Sequence, residues 1–88
     1  MDADAQALLE EKARRLEVDD LRWMMSDKRG RRVMWRLLET SGVYRSSFTG
    51  NSETFFREGQ RNVGLKLLAD IHEHCPDAFV LMLKEHRS

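Results

Sequence analysis

The chain has 88 residues, with 15 basic and 15 acidic side chains, one cysteine and one proline. That length accommodates one small core at most, near the limit where burial outweighs chain entropy. The lone Cys75 excludes an intrachain disulfide, and no apolar run reaches the roughly 20 residues of a membrane helix, so no membrane partner is expected.

The zero net charge is a sum of unlike segments. Residues 1–27 hold eight acids and four bases, residues 28–45 one acid and six bases, and residues 46–88 six acids and five bases. Such a division favours pairing within the chain or between chains over a dedicated nucleic-acid face, which keeps a positive balance overall. The opening stretch "MDADAQALLEEKA" carries four acids and lacks the basic start of a secretory signal. A reducing cytoplasm, or a particle assembled there, is the expected location.

Read in chain order, the pattern is helical from end to end. In the first segment Ala5, Leu8, Leu9, Ala13 and Leu16 recur at helical spacing among charged residues. A stripe that narrow fits a seam against another helix, on this chain or on another copy, better than a deep core. After "VDD" a short helical turn presents Leu21, Trp23, Met24 and Met25, and Ser26 or Asp27 suits the cap of a new helix. In that helix Val33, Met34, Leu37, Leu38 and Ser41 form the expected core stripe. Gly30 costs little in its first turn, and Gly42 suits the left-handed position where the helix stops.

Ser52 is the expected cap of the longest helix, with Glu53 in its first turn. Phe55, Phe56, Gly59, Val63, Leu67, Leu68 and Ile71 make a broad stripe, with Phe56, Val63 and Leu67 on the buried side. Gly59 and Gly64 imply close packing, because a helical glycine otherwise costs about 1 kcal/mol against alanine. Glu58 and Arg61 stand at pairing distance. Pro76 halts this helix and starts the last, which turns Ala78, Phe79, Met82 and Leu83 inward. The expectation is an all-α bundle of four helices, or five if the short turn counts. Residues 1–25 form the acidic helix and turn, and residues 26–88 the core domain.

Three constellations bear on function. "SGVYRSSFTG" (residues 41–50) superficially matches the turn of a DNA-reading helix-turn-helix, but "TGNS" breaks the recognition helix within a few residues, so a hinge is expected. The cations Lys28, Arg29, Arg31, Arg32 and Arg36 precede it, with Lys28, Arg32 and Arg36 on one helical face. An acidic protein surface or phosphate answers such a face. His72, His74, Cys75 and His86 lack the paired anchor and shared face of a metal site, and no catalytic set is visible, so neither an enzyme nor a cofactor is expected.

The residues "GRR" (30–32), "SGVYRSSF" (41–48), "FFREGQRNVGLKLLADI" (55–71) and "LMLKE" (81–85) together resemble the Bbp-nineteen-like small phage domain family of tailed bacteriophages. The resemblance spans roughly residues 26–86 and rests on Gly30, Arg31, Gly42, Phe48, Glu58, Gly59, Arg61, Gly64 and Glu85. It implies a phage source and a virion or assembly role, without a defined activity. The leading expectation is a small virion-associated or assembly protein, in the virion or host cytoplasm, that packs on itself or on a phage structural protein. Its partner-binding residues are Leu8, Leu9, Ala13, Leu16, Lys28, Arg29, Arg32 and Arg36. The alternatives are a nucleic-acid-binding module using Arg29, Arg31, Arg32, Arg36, Tyr44 and Arg45, and an inhibitor of a host protein acting through the same basic face.

Overall fold

The computed structural model describes residues 2–44 and 53–87. Among them are four α-helices and no strand: α1 (Ala3–Ser26), α2 (Lys28–Ser41), α3 (Glu53–His74) and α4 (Pro76–His86). The expected all-α bundle is the fold. The separate short turn is not there, because α1 runs unbroken through Asp19 and Asp20. Val18, Leu21, Met24 and Met25 all lie on its inward side, and packing along that side outweighs the low helix propensity of two aspartates.

The helix ends follow local chemistry. Asp2 accepts from the Ala5 amide at 2.7 Å and caps α1. Asp27 accepts from the Arg29 amide at 2.7 Å and caps α2, while the Ser26 hydroxyl donates to the Trp23 carbonyl instead. Gly42 ends α2 at φ 83°, a left-handed conformation that glycine adopts without steric cost. Pro76 opens α4 as its first residue, where its missing N–H leaves no bond unmade. The Ser52 cap expected for α3 lies outside the described residues.

The core is thin. Met25 of α1, Met34 and Leu38 of α2, Val43, Ile71 of α3, Cys75 and Met82 of α4 are buried, with Leu21, Met24, Trp35, Leu67, Leu68, Ala78 and Phe79 packed around them. Two of the four largest fully buried side chains, Met25 and Met82, are methionines, whose flexible thioethers fill the irregular space where four helices meet.

Two helix phases differ from the expected ones. On α2, Met34 and Leu38 are buried as expected, but Val33 and Leu37 are 38% and 51% exposed, and Gly30 and Arg31 take the inward side. On α3, Phe56 and Val63 are 67% and 71% exposed rather than buried, and Phe55 is 81% exposed. The inward line of α3 runs Thr54, Glu58, Arg61, Gly64, Leu67, Leu68 and Ile71, so its N-terminal half turns polar residues inward. Leu67 is on the inward side as expected.

Two glycines set the helix crossings. A Cβ on Gly64 would overlap the Ser41 side chain and Val43 Cγ1, so α2 and α3 touch through the absence of a side chain. Gly30 is more than a tolerated first-turn residue, because a Cβ there would overlap the Met24 carbonyl at the end of α1. Gly59, expected to mark a close crossing, has open space around it. The expected Glu58–Arg61 pair is not formed among the described residues, and Arg61 Nε is buried without a hydrogen-bond partner.

These placements predict a split in unfolding experiments. Leu38→Ala should lower stability by about 2–5 kcal/mol through loss of buried methylenes and the cavity left behind, whereas Phe56→Ala should change it little. Gly64→Ala should destabilise and Gly59→Ala should be neutral or stabilising by up to about 1 kcal/mol. Chemical denaturation of the four variants measures each difference.

Candidate functional site

Among the described residues, Arg31 is the one charged side chain that is buried. Its Nε and Nη2 donate to the two carboxylate oxygens of Glu85 at 2.8 and 3.0 Å, and its Nη1 donates to the Met25 carbonyl at 3.0 Å. The guanidinium of α2 thus binds the last turns of α4 and α1 at once. The paired hydrogen bonds from Arg31 hold the Glu85 carboxyl below the usual carboxylate range, and Glu85 in turn raises the pKa of Arg31. A side chain so enclosed cannot reach a phosphate backbone. Arg31 therefore drops out of the expected nucleic-acid face.

The remaining cations of α2 point outward. Lys28, Arg29, Arg32 and Arg36 are exposed, and Arg29, Arg32 and Arg36 make no ion pair among the described residues. Exposed Val33 and Leu37 are interleaved with them, giving α2 a mixed basic and apolar outer face. Where α2 meets the end of α1, a cleft of about 440 Å³ lies between Trp23, Met24, Arg29 and Val33. Trp23 is 73% exposed and forms one wall.

Tyr44 is half exposed and stands 5.7 Å from Trp35, which stacks at 5.2 Å on His86. Burial pushes the Tyr44 phenol up. Tyr44, expected in the alternative nucleic-acid face, thus already has an aromatic neighbour on the chain itself. Arg45 and the stretch that would form a recognition helix lie outside the described residues.

On α1 the expected seam is uncovered. Leu8 and Leu9 are each 50% exposed, Leu16 is 63% exposed, and Ala13 is exposed. The other side of α1 is tied down: Arg14 pairs with Asp70 at 3.4 Å, and Arg22 Nε donates to the His74 carbonyl at 3.2 Å, supplying a partner to the C-terminal end of α3. No described helix is long and apolar enough to cross a membrane.

The histidines and cysteine do not converge. His72 lies edge-on to Phe79, His86 stacks on Trp35, and Cys75 is buried, its thiol pKa raised by that burial. Asp70, Glu73 and His74 do come together on one side of α3, but the Arg14 guanidinium already sits against Asp70 and His74.

The α1 stripe, the basic face of α2 and the Trp23 cleft are all open to solvent among the described residues. Val33, Leu37 and the α3 aromatics face outward although hydrophobicity alone places them inside. The seven-residue spacing of Leu9, Leu16 and Trp23 was the available signal for Trp23. A family model described as Bbp19-like phage protein matches residues 21–84, and the chain belongs to that family. No curated protein and no solved structure matches it.

The Arg31–Glu85 pair predicts a pH dependence. A carboxyl whose pKa is lowered on folding stabilises the fold fully above its unfolded pKa, and that contribution is lost as pH falls through the folded value. Melting temperature should therefore drop as the solution is acidified through and below the ordinary carboxylate range. Glu85→Gln should lower melting at neutral pH, leaving a buried guanidinium without its counter-charge, and should flatten this acid dependence. Thermal melts followed by circular dichroism at several pH values measure both effects.

Proposed function

We propose that this Bbp19-like phage protein acts as a small virion-associated or assembly protein, packing on a phage structural protein or on its own copies, without catalysis or a cofactor. The observation that carries the reading is the apolar surface left uncovered. Leu8, Leu9, Leu16 and Trp23 on α1, and Phe55, Phe56 and Val63 on α3, are all at least half exposed. Contiguous exposed apolar side chains mark interaction sites on small proteins. The phage family supports the setting. In that setting the protein resides in the virion or in the host cytoplasm during assembly, and no membrane takes part.

A second reading, nucleic-acid binding, has one observation in its favour: Arg29, Arg32 and Arg36 face outward without ion pairs among the described residues. It is weakened by the loss of Arg31 to the core.

Mass spectrometry of purified virions and of assembly intermediates tests the leading reading. The expected result is the chain at many copies in one or both, and its absence from both would overturn the proposal. The double variant Arg32→Gln/Arg36→Gln should keep its helicity and weaken docking on the virion partner, in parallel with the effect of added salt on the wild type. A protein that instead retains duplex DNA at low salt, with affinity falling steeply as salt is raised, supports the second reading.

A further inference from the structure

The outward face of α1 carries a second apolar line, separate from the one that docks on the bundle. Leu9, Leu16 and Trp23 follow one another at seven-residue steps and are 50%, 63% and 73% exposed. Seven residues are close to two helical turns, so the three side chains form one straight row, with Leu8 and Ala13 beside it. The inward side of the same helix holds Val18, Leu21, Met24 and Met25. Arg14 on Asp70 and Arg22 on the His74 carbonyl fix that side against α3, which presents the outer row on a rigid support.

From this row we infer that α1 is a homodimer seam, packing antiparallel on the α1 of a second copy with Leu16 against the partner's Leu16 and Leu9 against the partner's Trp23. The inference rests on the self-packing version of the proposed function and gives it a geometry. Positions 9 and 23 lie equally far from 16, so a two-fold axis at Leu16 brings each leucine opposite a tryptophan. The contact is isologous and closes on itself, giving a finite dimer rather than a filament.

Charge selects the antiparallel orientation. Residues 2–11 carry Asp2, Asp4, Glu10 and Glu11 and no base, whereas the start of α2, next to the other end of α1, carries Lys28, Arg29 and Arg32, with Asp27 engaged in the helix cap. An antiparallel pair lays the acidic end of each copy beside the basic end of the other. A parallel pair lays acid on acid and base on base. In the antiparallel register Lys12 falls close to the partner's Asp19. The cleft beside Trp23, bounded also by Met24, Val33 and Arg29, then receives Leu8 and Leu9 of the second copy. Arg29, without an ion pair among the described residues, meets the incoming acidic end.

Sedimentation equilibrium of the full chain, combined with cysteine variants, tests the seam. The wild type should sediment as a dimer. Leu16→Glu, at a position already exposed and therefore safe for folding, should weaken dimerisation by at least about tenfold with unchanged circular dichroism, since the variant sets two carboxylates face to face. Leu16→Cys should form a disulfide dimer on oxidation, with wild type as the control because Cys75 is buried. A mixture of Leu9→Cys and Trp23→Cys should cross-link, whereas Leu9→Cys alone should not. At about 1.5 Å per residue the two copies of position 9 lie about 21 Å apart in this arrangement, far beyond the roughly 7 Å limit between disulfide-bonded Cα atoms. Leu9→Cys cross-linking alone as readily as the mixture would show a parallel pair and overturn the inference, as would a monomer at every concentration. A monomeric chain that is nevertheless abundant in virions overturns the seam and leaves the virion role standing. A dimer missing from virions and assembly intermediates supports the seam and removes that role.

Discussion

The bidentate contact between Arg31 and Glu85 is the constraint on which the rest of this small fold depends. It joins residues 54 positions apart and, through the Met25 carbonyl, ties the end of α1 into the same knot. Burying a guanidinium is unfavourable unless its donors are matched and its charge is answered, and here every nitrogen has an acceptor. With Arg31 pinned inward, the rotation of α2 about its axis is set. Met34 and Leu38 then fall in the core, and Val33, Leu37, Arg29, Arg32 and Arg36 must face out. The mixed outer face of α2 is thus a consequence of an interior ion pair.

Close helix contacts do the remaining positioning. Gly30 lets the first turn of α2 press on the Met24 carbonyl, and Gly64 lets α3 press on Ser41 and Val43. Both contacts bring backbones together where a side chain would hold them apart. The result is a core of few, mainly aliphatic and sulfur-containing side chains, too thin to enclose all the apolar residues of an 88-residue chain. Trp23, Phe55, Phe56 and Val63 are left outside. For a chain of this size, association is a physically sensible outlet for such surface, because a contact with another protein completes burial that the monomer cannot.

In α1 these two themes meet. Its C-terminal half contributes Met25 to the core and Arg22 to the end of α3, while Leu9, Leu16 and Trp23 run along the opposite face. A helix that is apolar on two sides, with one already docked, leaves its other side open to the second body of the proposed dimer. The acidic bias of its first half and the basic bias beyond its end give the second body a preferred direction of approach.

The helical class, several of the helix ends and the family were legible in the sequence because each depends on nearby residues. Asp27 caps by reaching an amide two residues on, Gly42 stops α2 through its own backbone freedom, and Pro76 starts α4 through its own ring. The spread of "GRR", "SGVYRSSF" and "FFREGQRNVGLKLLADI" was enough to mark the family that residues 21–84 match. The stripe of Leu8, Leu9, Ala13 and Leu16 was legible too, since a narrow apolar line among charges is a local pattern, and all four are exposed. The phases of α2 and α3 were not. Hydrophobicity put Val33, Leu37, Phe56 and Val63 inside, and only the tertiary structure decided otherwise. Which face turns inward depends on partners distant in sequence: Glu85 for Arg31, Ser41 and Val43 for Gly64. No local periodicity encodes a charge 54 residues away or the absence of a Cβ where two helices cross.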